Sequence, residues 1–155
     1  MSRSEAFRSR RVLVTGHTGF KGSWLVLWLR RLGAEVHGYS LPPPTEPSNY
    51  ALAGVRTALA SETVADIRDR TQMAATVAAF KPDVIFHLAA QPLVRDSYAK
   101  PYDTFDVNVM GTASVLDAVR AASRPCAVVC ITTDKCYENL EHVWGYRECD
   151  PMGGH

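Results

Sequence analysis

The chain has 155 residues, enough for one domain with a substantial core, and its 46% hydrophobic and 21% charged residues exclude a disordered tail. Seventeen Lys and Arg against sixteen Asp and Glu leave a net charge of +1, which excludes a strongly positive field and with it nucleic acid as a partner. No apolar run nears the roughly 18 residues of a membrane span, and the basic start MSRSEAFRSRR lacks a signal-peptide core, so no membrane partner and a cytoplasmic location are expected.

Residues 11–15 (RVLVT) form a short apolar run ending at a glycine, the pattern of a buried strand. A helix is predicted over 22–32. It is apolar on nearly every side, with Trp24 and Trp28 on one face and Gly33 at its end, which predicts packing between two layers. A second strand covers 34–39. Pro42, Pro43, Pro44 and Pro47 then enforce a long loop, and Ser48 caps a short helix through Leu52. A third strand (62–67), a helix (69–80) with Met73, Val77 and Phe80 on one face, and a fourth strand (83–88, DVIFHL) follow. One helix spans 101–122, and a fifth strand spans 126–132. Strands alternating with helices predict an α/β, doubly wound parallel sheet with helices on both faces. Residues 1–10 read as an N-terminal extension, 11–137 as the sheet domain, and 138–155 as loop, so the five-stranded sheet looks incomplete.

The turn between the first strand and the first helix carries Gly16, Gly19 and Gly22, spaced G-x-x-G-x-x-G. Gly16 permits a tight turn, Gly19 lets backbone approach a pyrophosphate, and Gly22 lets the helix lie close to the strand. The helix N-terminus then offers N–H groups and partial positive charge to phosphates. The acid that usually holds the adenosine ribose is replaced by Ser40. Ser40 can donate one hydrogen bond to a ribose hydroxyl and repels no 2′-phosphate, which leaves NAD and NADP both open at this position. The four cysteines, Cys126, Cys130, Cys136 and Cys149, form no C-x-x-C pair and the histidines are scattered, so free thiols and no metal site are expected.

TGHTGFKG, ADIRD (65–69), HLAAQ (87–91), NVMGT (108–112) and TTDKCY (132–137) occur in order. Together they resemble the extended short-chain dehydrogenase/reductases, the nucleotide-sugar epimerases and dehydratases with Rossmann-type folds. TGHTGFKGSWL, GYSLPPPTEPS, AAQPLVRDSY and TTDKCYEN are most similar to the CDP-glucose 4,6-dehydratase branch. The resemblance implies NAD as cofactor, CDP-glucose as the nucleotide-sugar partner and a homodimer. It places Gly16, Thr18, Gly19, Phe20, Lys21 and Gly22 at the pyrophosphate. Asp66 and Ile67 fall at the adenine, the first accepting from its amino group and the second stacking on it. Leu88, Ala89, Ala90 and Gln91 pass beneath the nicotinamide ribose, and Thr132 joins this cofactor set.

By the same resemblance, Thr133 hydrogen-bonds the sugar 4-hydroxyl and Asp134 delivers a proton to the departing C6 hydroxyl. Lys135 stands where dTDP-glucose dehydratases usually have Glu, which leaves open the group that removes the C5 proton. Asn108 positions a water or a lysine, while Arg95 and Ser97, in the loop after the fourth strand, face substrate. The family's base is a Tyr-x-x-x-Lys pair. None of Tyr39, Tyr50, Tyr98, Tyr102, Tyr137 and Tyr146 is followed by such a Lys. The chain is therefore expected to be the N-terminal portion of a longer enzyme and inactive alone. A nucleotide-sugar 4-epimerase and a catalytically silent dinucleotide-binding module are the competing readings.

Overall fold

The computed structural model describes residues 5–153. Residues 1–4 of the expected extension and 154–155 of the expected final loop lie outside the described residues. Five strands, β1 (Arg11–Thr15), β2 (Glu35–Ser40), β3 (Ser61–Val64), β4 (Val84–His87) and β5 (Ala127–Cys130), pair in parallel in the order β3-β2-β1-β4-β5. The helices are α1 (Phe20–Arg31), α2 (Asn49–Leu52), α3 (Val55–Ala58), α4 (Arg70–Phe80), α5 (Val94–Ala99), α6 (Pro101–Phe105) and α7 (Gly111–Ala121).

Strand alternation divides the core into two layers. Val12 and Val14 of β1 face α1 and α3, where Val26, Leu29, Val36 and Val55 close around them. Leu13 points to the opposite face, where it joins Tyr39, Met73, Val77, Ile85 and Val115 beneath α4 and α7. Each such fully buried aliphatic side chain contributes about 1.5–3 kcal/mol. The chain is thus doubly wound, as its alternating pattern predicts. Local chemistry sets the helix ends. Ser48 accepts from Ala51 N–H to start α2, and Asp69 accepts from Gln72 N–H to start α4. At the end of α1, Gly33 N–H and Ala34 N–H return to the carbonyls of Arg30 and Leu29.

The structure corrects several expectations. Trp24 and Trp28 do share one face of α1, but that face is exposed, because α1 buries only the side carrying Val26 and Leu29. The third strand stops at Val64: its partner β2 ends at Ser40, opposite Val64, and after the Ala65 N–H bond to the Ser40 carbonyl no ladder remains for residues 66–67. Residues 94–99, expected as loop, form α5, so Arg95 and Ser97 ride on a helix. A further short helix, α3, precedes β3. The single helix expected over 101–122 is interrupted by a π-helical turn at Asp106–Met110, between α6 and α7. Beyond β5, a 3₁₀ turn at Asp134–Cys136 and one antiparallel bridge between Tyr137 and Met152 interrupt otherwise irregular backbone.

Candidate functional site

Parallel strands deliver the residues that follow them to one edge of the sheet. β1 leads to the glycine turn, β2 to Ser40, β3 to Asp66, β4 to residues 88–91 and β5 to residues 132–135. Connections leave β1 and β4 toward opposite faces, so the crevice between these two strands is the topological switch point where such sheets bind ligands.

The three glycines have distinct physical duties. Gly16 sits at φ +73°, and a Cβ there would lie 2.8 Å from Ala89 N, so the turn is pressed against the backbone after β4. A Cβ on Gly22 would fall 2.1 Å from the Gly16 carbonyl oxygen. The first turn of α1 therefore packs on the glycine turn itself rather than on the strand. Gly19 has ordinary extended backbone and would meet one atom, Gly16 O at 3.3 Å. Its outer side is open space. No side chain caps α1 and no acid stands in its first turn, so its N-terminus retains its affinity for an anion. This open cradle fits a dinucleotide's pyrophosphate. Phe20 and Lys21, on that first turn, are exposed.

Hydrogen-bond accounting changes the expected part of Ser40. Thr18 Oγ1 donates to the Leu41 carbonyl at 2.9 Å, so the hydrogen in its 2.9 Å contact with Ser40 Oγ must come from Ser40. Ser40 consequently offers lone pairs to a ribose. It suits a 2′-hydroxyl, which donates, and has no proton for a 2′-phosphate. Thr18 is buried, with its hydroxyl spent on this clasp. Asp66 follows β3 at the same sheet edge, where Arg68 reaches it with Nε to Oδ1 at 3.0 Å and Nη2 to Oδ2 at 2.6 Å. These contacts hold the Asp66 carboxyl below its ordinary range. Arg68 also reaches Asp106 at 3.2 Å. Ile67, expected to stack on adenine, is instead buried, with Gly111 of α7 packed against its side chain.

Residues 88–91 are tied down from two sides. Thr15 Oγ1 accepts from Leu88 N–H and Ala89 N–H, both at 3.1 Å. Asn108, in the π turn, accepts from Gln91 N–H at 2.7 Å and donates to the Gln91 carbonyl at 3.1 Å. The Asn108 side chain thus grips backbone. The Gln91 amide turns back to the Leu93 carbonyl and Thr104. Ala90 stands exposed at the turn.

Past β5, Thr132, Thr133 and Lys135 are exposed, and Thr133 Oγ1 accepts from Lys135 N–H at 3.2 Å. The Asp134 side chain lies outside the described residues; its backbone opens the 3₁₀ turn. Arg95 is exposed on α5, and Ser97 donates to Val94 O within that helix.

Sequence reasoning missed a second layer beneath the glycine turn. His17 is fully buried and contacts Glu62 at 3.1 Å; Tyr50 donates to the same carboxylate at 2.7 Å and Arg56 pairs with it at 2.7 Å. Burial keeps His17 below the usual histidine pKa despite Glu62. Burial alone pushes Glu62 up, but Tyr50, His17 and Arg56 outweigh it and hold the carboxyl low. The sequence signal was a histidine inside an otherwise small-residue turn. Among the described residues no cluster of three or more His, Cys, Asp or Glu is arranged to hold a metal ion.

The sequence profile described as GDP-mannose 4,6 dehydratase matches residues 13–155. CDP-glucose 4,6-dehydratase of Salmonella typhimurium is 52% identical over 149 residues, covering 96% of this chain and 41% of its own length. GDP-mannose 4,6-dehydratase of Vibrio cholerae is 33% identical over 72% of this chain and 31% of its own. Among solved structures, UDP-glucose 4-epimerase from Stenotrophomonas maltophila with bound NAD superposes with a TM-score of 0.80 at 26% identity, over 93% of this chain and 43% of that one. The chain spans less than half the length of these relatives.

Proposed function

The chain belongs to the GDP-mannose 4,6-dehydratase family, and from that premise we propose that it is the cofactor-binding portion of an NAD-dependent CDP-glucose 4,6-dehydratase. The observation carrying the reading furthest is the 52% identity to CDP-glucose 4,6-dehydratase across 96% of this chain. The open cradle at Gly19, the uncapped α1 and the lone pairs of Ser40 support NAD. Bound there, NAD would supply a reversible hydride acceptor for a sugar carbon. Gly16 and Gly22 shape the turn, Gly19 and the first N–H groups of α1 receive the pyrophosphate, and Asp66 and Ser40 meet the adenosine. Residues 88–91 form the floor at the nicotinamide ribose, with Thr132 beside them.

Thr133 holds the sugar 4-hydroxyl by hydrogen bonding. A ketone at C4 acidifies the C5 proton, which passes to a general base of the intact protein as Asp134 protonates the leaving C6 hydroxyl, so that water departs across C5–C6. Lys135 adds positive charge beside the developing enolate. Arg95, exposed on α5, is available to a nucleotide-sugar phosphate. A cytoplasmic homodimer completes the reading. No helix among the described residues is long and apolar enough to cross a membrane, and Phe105, Val109 and Leu116 form an exposed apolar stripe suited to helix pairing.

The test is turnover of CDP-glucose by the intact protein, with formation of a 4-keto-6-deoxy sugar expected. A 4-epimer would favour an epimerase, which needs no acid for C6. Absence of any turnover, with NAD still bound, would favour a silent binding module.

A further inference from the structure

A buried polar chain runs beneath the strand ends, and its hydrogens can be placed by elimination. Thr15 and His87 are both buried, and Thr15 Oγ1 lies 2.7 Å from His87 Nδ1. Thr15 Oγ1 already takes the Ala89 N–H and a share of the Leu88 N–H, which also reaches the Thr15 carbonyl at 3.2 Å, so its own hydrogen is the one left for Nδ1. On the other side of the ring, Nε2 lies 3.0 Å from Thr112 Oγ1. Thr112 spends its hydrogen on the Asn108 carbonyl at 2.6 Å. Nε2 must therefore carry the imidazole proton and donate it. The opposite tautomer would set two lone pairs against each other at Thr112 and strand the Thr15 hydrogen. An imidazolium would strand the same hydrogen. The chain continues through Asn108, whose carboxamide grips Gln91 N–H and C=O.

We infer that His87 is a positioning residue, held as the neutral Nε2–H tautomer, which joins Thr15 to Thr112 and so fixes both ends of the backbone turn at residues 88–91 for the nicotinamide-ribose end of NAD. The inference rests on the functional reading above for the identity of the ligand. The brace itself rests on the hydrogen bonds. His87 is itself buried. It acts through Thr15, which holds the first two N–H groups of the turn, and through Thr112 and Asn108, which hold its last residue. The π turn belongs to the same device, because the Asn108 carbonyl receives Thr112 Oγ–H within it. Satisfied buried networks of this kind rigidify what they touch, whereas a missing member leaves its neighbours unpaired at high cost.

Two measurements on the intact protein test this. In long-range ¹H–¹⁵N spectra of protein labelled at histidine nitrogens, His87 should show a bare Nδ1 and a protonated Nε2 at neutral pH. A protonated Nδ1, alone or in an imidazolium, would overturn the inference. In calorimetric titration with NAD, the isosteric Thr15→Val should weaken binding about tenfold while still unfolding cooperatively, and Thr15→Ser should restore affinity to within about twofold. Thr112→Val, one bond further from the floor, should weaken binding less and shift the His87 Nε2 signal. Equal NAD affinity in wild type and Thr15→Val would overturn the brace and leave the functional reading standing. A wild-type protein that binds no NAD would overturn the functional reading, and the brace's assigned purpose with it.

Discussion

Residues 88–91 and residues 132–135 both follow a strand to the same edge of the sheet, yet they are held differently. The first turn sits over buried Thr15 and His87, is gripped at its far end by Asn108, and has Gly16 pressed against it. The second leaves Thr132, Thr133 and Lys135 exposed, with Thr133 accepting from the backbone two positions later. The proposed cofactor floor is held by the fold's own hydrogen bonds. Thr133 and Lys135, proposed to act on the sugar, stand at the surface. Substitutions should therefore separate the two regions: changes in the first cost folding or cofactor affinity, and changes in the second cost turnover.

The largest separation is expected at the chemical segment. In the intact protein, Asp134→Asn should cut keto-deoxy-sugar formation about 10²–10⁴-fold, while denaturant midpoints stay within the equivalent of about 0.5 kcal/mol. A large loss of stability would show that this segment supports the fold as well. The reverse pattern is expected at Gly22, where a Cβ would strike the Gly16 carbonyl. Gly22→Ala should destabilise by about 3 kcal/mol in urea unfolding. Gly19→Ala, which meets one atom at 3.3 Å, should cost under about 1 kcal/mol yet weaken NAD binding measurably. Equal effects of the two alanines on stability would merge the duties separated above.

The buried histidines give a pH signature on the folded side of the comparison. Burial depresses His17 and His87, and it brings His37 down to about 4. Each stays neutral in the fold while the unfolded chain takes up a proton below its ordinary value near 6.5. Stability should therefore be full above neutral pH and fall as pH drops below about 6.5. At about pH 5, His37 alone accounts for about 2 kcal/mol. Urea midpoints that stay flat across that window would contradict neutral burial. The smallest effect is expected at Ser40: Ser40→Ala removes one acceptor and should weaken NAD binding about two- to fivefold, with no gain for NADP.

Much of this was legible in the sequence because β1 and β4 are nearly continuous apolar runs and because Gly16, Gly19 and Gly22 keep the spacing of a phosphate-binding turn. Edge residues were harder. The third strand ends where β2 ends, which is a property of the pair and not of Glu62 to Ile67 alone. The π turn at Asp106–Met110 was hidden because the contact that accompanies it, the grip of Asn108 on Gln91, joins residues 17 apart. The brace was hidden more deeply, since Thr15 and His87 are 72 positions apart. One signal did exist: His87 is the one polar residue that follows Asp83 in DVIFHL, and buried polar groups are usually hydrogen-bonded.

The most direct test of the central claim follows one hydrogen. The intact protein would be given CDP-glucose carrying deuterium at C4, and the product read by NMR. The account predicts a 4-keto-6-deoxy sugar with that deuterium at C6, because the hydrogen removed from C4 is returned within the same site as water leaves. A 4-epimer that keeps deuterium at C4 and its C6 oxygen would contradict it.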